Sequence, residues 1–299
     1  MIDRQLPASA FSWANWLLAI RPATLSAAVA PVLVGTAAAA GERFRAELFV
    51  ATLAASLFIQ IGANLSNDLF DYERGADTPD RLGPLRVTQS GLIPLAQVRS
   101  AAYLAFGAAA AIGLYLVYEG GWPILATGLA CIAAGLAYTG GPWPLGYHGL
   151  GDAMVFLTFG LAAVIGTYYL QAEEVTLVAF IAALHVGLLV TAILVVNNLR
   201  DIETDRRADK LTLAVRLGDT ATRLEYTAFV LGSYALLPLL LLADVGTWLF
   251  LPWLSLPLAL SLSRAVLSGT GGRDLNPILK RTAQLHLIFA ALLALGLLL

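Results

Sequence analysis

Charge is what this sequence has least of. Asp, Glu, Lys and Arg supply 13% of its 299 residues, about half the share found in soluble domains. Apolar residues supply 59%, so a water-soluble globule is excluded. Cysteine is scarcer still: Cys131 stands alone in an apolar run, which excludes an intrachain disulfide. A cleaved leader does not explain the hydropathy, because apolar stretches recur along the whole chain rather than once at its start. The net charge of −2 carries no basic excess, and no nucleic-acid partner is expected. What is there is a succession of bilayer-length apolar runs, roughly 20 residues each, separated by short charged segments.

Breaking those runs at charged, Gly and Pro clusters predicts an all-α polytopic bundle of about nine transmembrane helices. They fall near 13–40, 47–69, 97–118, 122–139, 150–171, 175–199, 221–243, 247–268 and 278–299. The whole chain, 1–299, reads as a single transmembrane domain. Pro22 predicts a kink in the first helix, because proline removes a backbone donor and clashes with the preceding turn. With the N-terminus cytoplasmic, fifteen of the 18 Lys and Arg residues fall in internal segments, as the positive-inside bias requires. The loops at 70–96, 140–149 and 200–220 then share the cytoplasmic face.

Two of those segments carry unusual chemistry. The second helix ends in Asn64-Leu-Ser-Asn67-Asp68-Leu-Phe-Asp71, and the sixth ends in Asn197-Asn198-Leu-Arg200-Asp201-Ile-Glu-Thr-Asp205. Residues three and four apart share a helix face, so each segment predicts a stripe of oxygen-bearing side chains. The two helices lie four spans apart and run in the same direction, an echo suggesting a parallel duplication. A single acidic helix end is ordinarily a solvated loop. Two of them, each with Asn and basic neighbours at a membrane surface, point to a site, because ionisable groups there are costly and usually functional. Oxygen donors in this number suit magnesium, which takes one or two carboxylates and completes its shell with water and substrate phosphate. A phosphorylated substrate follows, with Arg81, Arg86 and Lys210 as candidates for its remaining oxygens.

The first segment, continued through Asp77 to Asp80-Arg-Leu-Gly-Pro-Leu-Arg86, resembles the first aspartate-rich motif of the UbiA superfamily of intramembrane aromatic prenyltransferases. The second, with Lys210-Leu-Thr-Leu-Ala-Val-Arg-Leu-Gly218, resembles the second motif. Arg21-Pro-Ala-Thr-Leu, Pro31-Val-Leu-Val-Gly35, Tyr138-Thr-Gly-Gly-Pro-Trp-Pro-Leu-Gly-Tyr147 and Gly149-Leu-Gly-Asp152 look like the 1,4-dihydroxy-2-naphthoate branch. The third Asp of the first motif is often four residues after the second, at position 75 here. That position is Gly75, and the Asp is at 77, a Gly-x-Asp form that resembles the naphthoate branch.

The resemblance spans about residues 13–220 and implies an enzyme of the bacterial inner membrane with its site facing the cytoplasm. The reaction it implies is magnesium-dependent prenyl transfer from a polyprenyl diphosphate to 1,4-dihydroxy-2-naphthoate, releasing diphosphate and CO2. It implies metal binding, with two ions, by Asn67, Asp68, Asp71, Asn198, Asp201 and Asp205, the four Asp residues also being catalytic. Substrate binding is expected from Arg21, Asn64, Asp77, Arg81, Arg86, Gln89, Tyr138, Asn197 and Lys210, with His148 a further loop candidate. A prenyltransferase for 4-hydroxybenzoate or homogentisate is the nearest alternative. A secondary transporter is the alternative from a different class; its carboxylates would be expected within spans.

Overall fold

The computed structural model describes residues 12–39, 44–76 and 81–299, and among these all regular structure is helical. The chain opens with α1 (Trp13–Ile20) and α2 (Ser26–Ala38). Arg21 separates them in the left-handed conformation, its N–H bonded to the Leu17 carbonyl, and Pro22 starts a new turn. The Trp13–Thr24 segment and α2 meet at 47°, a bend that falls just past the Arg-Pro pair at which a kink was predicted.

The first long helix, α3 (Ala46–Glu73), is followed by α4 (Leu95–Ala137). At 1.5 Å per residue, 43 residues of straight helix would be about twice the thickness of a bilayer core. The run is broken at Gly121, whose φ of 68° and ψ of −158° are open to glycine and strained for other residues. The two limbs fold back on each other: a Cβ built on Gly135 would stand 3.4 Å from the ring of Phe106. Four more helices follow α5 (Gly151–Ala172): α6 (Leu177–Arg207), α7 (Asp219–Ala243), α8 (Thr247–Leu267) and α9 (Gly272–Leu298). Among the described residues seven helices are long and apolar enough to cross a bilayer, or eight with the bent α1–α2 pair as one span. That count treats α4 as one helix; the sequence reading divided it in two on either side of Gly121.

The centre of the bundle is α6, the most deeply covered of the long helices. Its Ala182, Val186, Leu189 and Val196 pack with Val34 of α2, Val164 of α5, Tyr226 and Val230 of α7, and Phe289 and Leu293 of α9. Large apolar side chains such as Leu104, Leu114, Leu129, Leu157 and Phe180 point outward, the surface expected of a chain whose solvent is lipid. A second small core matters for the site. Val87 and Ile93, from the loop after α3, are buried with Leu65 and Leu69 of α3 and Val98 of α4, so this loop is packed as part of the fold.

Alternation of direction gathers the ends of α3 and α6, the ends of the 122–137 limb and α8, and the starts of α4, α5, α7 and α9 at one face. At the opposite face, Arg45 pairs with Glu119, while the Gln171 amide both accepts from and donates to the Arg45 backbone, at 2.9 and 3.0 Å.

Candidate active site

A cavity of about 260 Å³ opens between α2, α3, α4, α5 and α6. Its apolar wall includes Ala27, Ala28, Ile59, Ala134, Met154, Phe159, Val190 and Leu194, and its polar end is formed by Asn64, Asn67, Asp71, Asn197 and Asn198. A smaller polar pocket, about 40 Å³, adjoins it and is lined by Ala76, Asp201, Thr204 and Asp205. Arg81, Arg86, Asn197 and Lys210 line both spaces. An apolar chamber therefore runs into a charged one.

Asp71 is the most heavily engaged acid. Its Oδ2 accepts from Arg86 Nη2 at 3.0 Å and lies 3.7 Å from Lys210 Nζ, while its Oδ1 accepts from the Tyr147 hydroxyl at 2.8 Å. Lys210 also sits 5.2 Å from the centre of the Tyr147 ring, a distance at which a cation is attracted to an aromatic face. The chain reverses after α6 through Asp209, in the left-handed conformation. The Lys210 N–H then bonds to the Asp205 carbonyl, and the Leu211 N–H to the Tyr147 carbonyl. Burial pulls the Lys210 ammonium down, but Asp71 and Asp205 outweigh it and hold the group above its ordinary value. Burial, then the charges of Asp152, Asp71 and Asp205, push the Tyr138 phenol far up, so it stays neutral.

On α6, Asp201 is gripped by its neighbour. Arg200 donates from Nε and Nη2 to the two carboxylate oxygens at 2.8 and 2.6 Å, and also to Asn197 Oδ1 at 2.9 Å and Asn276 Oδ1 at 2.8 Å. Among the described residues, no three His, Cys, Asp or Glu side chains converge closely enough to hold a metal alone. The donors facing the polar pocket are nevertheless oxygens, the type a hard divalent cation takes, with room for phosphate oxygens to complete its shell.

The expected stripe on α3 is narrower than its spacing suggested. Successive helical residues are about 100° apart, which puts Gln60, Asn64, Asn67 and Asp71 on one face and Asp68 at its edge. Asp68 lines neither space. Its Oδ2 accepts the Val87 N–H at 3.2 Å, fixing the loop that carries Arg86, and the charge of Arg21 acts on it. Asn64 lines the cavity, but its amide donates to the Ile20 carbonyl at 2.8 Å and Thr24 at 2.9 Å, which holds the α1–α2 bend. Asn67 accepts from Thr139 at 2.9 Å. Arg21 and Tyr138 also line the cavity.

Gln89 and His148 line neither space; the His148 ring lies 4.3 Å from that of Trp143. Asp77 lies outside the described residues. Spacing did not single out Tyr147, Thr139 or Asn276. Thr139 and Tyr147 sit within the 138–147 run, whereas Asn276 carries no sequence signal.

Residues 28–288 match the UbiA prenyltransferase family. The chain belongs to that family. It is 42% identical to the 1,4-dihydroxy-2-naphthoate octaprenyltransferase of Mycobacterium tuberculosis, over 95% of this chain and 96% of that one. It is 38% identical to the enzyme of the same name from Escherichia coli, over 94% of each. Solved structures share the fold at lower identity. A UbiA homolog from Archaeoglobus fulgidus, bound to GPP and Mg2+, superposes with a TM-score of 0.61 at 14% identity, covering 93% of this chain and 99% of that one. The apo structure of a UbiA homolog from Aeropyrum pernix K1 superposes at 0.68 and 17% identity, covering 93% and 97%. The chain is therefore a multi-pass membrane prenyltransferase, and the transporter alternative falls away.

Proposed function

We propose that this UbiA-family enzyme transfers a polyprenyl group from its diphosphate to 1,4-dihydroxy-2-naphthoate, releasing diphosphate and CO2. The observation that carries the reading is the junction of the two spaces. An apolar cavity continuous with a pocket of basic and carboxylate side chains suits an amphiphile with a long tail and a polyanionic head. The naphthoate acceptor is carried over from the relatives named above. The whole chain acts as one domain, in the inner membrane of a bacterium, with its N-terminus and site on the cytoplasmic side.

Arg81, Arg86 and Lys210, lining both spaces, receive the diphosphate oxygens. Their charge stabilises the negative charge that grows on the leaving group as the allylic C–O bond breaks. Magnesium, as two ions, would be held by Asp71, Asp201 and Asp205 with Asn67 and Asn198 alongside, and would supply further charge neutralisation at the diphosphate. Arg21 binds the carboxylate of the acceptor. The ring carbon bearing that carboxylate forms a bond to the prenyl carbon. The bond to the carboxylate then breaks, its electron pair returns to the ring, and CO2 departs. The apolar wall keeps water from the allylic cation.

Purified protein in lipid nanodiscs, given a polyprenyl diphosphate and Mg2+ with each of three acceptors, tests the choice. Prenylation of 1,4-dihydroxy-2-naphthoate is expected, and a preference for 4-hydroxybenzoate or homogentisate would overturn it.

A further inference from the structure

The 81–86 loop brings Arg81 and Arg86 to the polar pocket, yet it belongs to neither aspartate-bearing helix. One side chain from the far end of the chain ties it down. Asn276, in the first turns of α9, donates from Nδ2 to the Leu82 carbonyl at 3.0 Å and accepts from Arg200 Nη1 at 2.8 Å. A single amide therefore joins the loop to the guanidinium that grips Asp201 and Asn197. Both halves of the amide are used, so a side chain that only donates or only accepts cannot replace it.

Gly83 shows how closely the loop is drawn in. A Cβ there would stand 2.6 Å from Arg200 Nη2 and 3.0 Å from its Cζ. A flexible arginine tip could swing aside, but this one is fixed by hydrogen bonds to Asp201, Asn197 and Asn276, with its side chain 1% exposed.

We infer that Asn276 is a positioning residue, a latch that seats the 81–86 loop against Arg200 so that Arg81 and Arg86 face the diphosphate. The inference rests on the diphosphate reading above. It extends the site to α9, beyond both aspartate-bearing segments. Asn276 acts on the head of the donor and not on the aromatic acceptor.

The test uses the full chain in detergent, with Asn276→Ala and Gly83→Ala as independent ways to open the latch. Binding of inorganic pyrophosphate in the presence of Mg2+ is measured by calorimetry, alongside the KM for each substrate and the melting temperature. Loss of the amide's two hydrogen bonds is expected to weaken pyrophosphate binding and raise the donor KM by about tenfold, with the acceptor KM within about twofold. The two substitutions break one latch, so the double variant should be no worse than either alone. Unchanged pyrophosphate affinity in a variant that melts like the wild type would overturn the latch. So would an equal rise in both KM values, which marks general distortion. If Asn276→Ala does not fold, Gly83→Ala decides by the same criteria. Wild-type protein that binds no pyrophosphate would instead sink the diphosphate reading itself.

Discussion

Replacing Asp71 by Asn separates what this carboxylate does for the fold from what it does for the chemistry. The substitution keeps the shape and removes one negative charge from a place where Arg86 and Lys210 lie 3.0 and 3.7 Å away. At an effective dielectric near 20, unit charges 3.7 Å apart attract by about 4.5 kcal/mol before desolvation is counted. Asp71 and Arg86 are almost fully covered, and removing one partner of such a pair costs about 3–5 kcal/mol because the other charge stays buried. The amide oxygen can still accept from Tyr147 or Arg86, so the lower end of that range is expected. For a chain of this size it corresponds to a melting temperature lower by roughly 5–10 °C. Turnover should fall by about a hundred- to a thousandfold, the scale for losing one electrostatic element of a transition-state site. The pairing Asp71→Asn with Arg86→Met then decides between the two roles. Replacing a buried ion pair by neutral groups of similar size is often close to neutral, so the double variant should recover most of the melting temperature and none of the turnover. Near-wild-type turnover in Asp71→Asn, or recovery of turnover with stability in the double variant, would refute this reasoning.

Other consequences are simpler to read. Arg21→Gln should raise the acceptor KM by about tenfold, the worth of a charge-assisted hydrogen bond, and leave pyrophosphate binding within twofold; the reverse pattern would move Arg21 to the donor. Chelation by EDTA should abolish turnover and added Mg2+ restore it, as followed by product formation. Lys210, raised above its ordinary value, contributes stability that is fully present below the usual lysine pKa of about 10.4 and is lost only as pH rises through its higher folded value. Lys210 is therefore still protonated at about pH 9, and Lys210→Gln should weaken pyrophosphate binding there as well as at neutral pH; wild-type affinity of the variant at about pH 9 would contradict the assignment.

Hydropathy was enough to locate the helices, because each must bury or expose a bilayer's length of apolar side chains. It also located the interruptions. Arg21-Pro22 and the Gly120-Gly121 pair are local backbone features, and both break helices where the sequence says so. Spacing on one helix was a coarser guide. The three-and-four rule put Asp68 beside Asp71, but only tertiary packing reveals that Asp68 turns to the Val87 N–H. The partners that close the site are farther out of reach. Tyr147 meets Asp71 across 76 residues, and Asn276 meets Leu82 across 194. No periodicity encodes such pairs. The last predicted helix began at residue 278, and so left out Asn276 by two positions, at the kind of boundary that propensity places least well.

The central claim is that the polar end of this cavity drives decarboxylating prenylation of a naphthoate. Carboxyl-labelled 1,4-dihydroxy-2-naphthoate, supplied with a polyprenyl diphosphate and Mg2+ to the purified protein, tests it most directly. The account predicts one labelled CO2 released for each diphosphate formed, and both slowed by about a hundred- to a thousandfold in the Asp71→Asn protein. A prenylated product that retains the labelled carboxyl would contradict it.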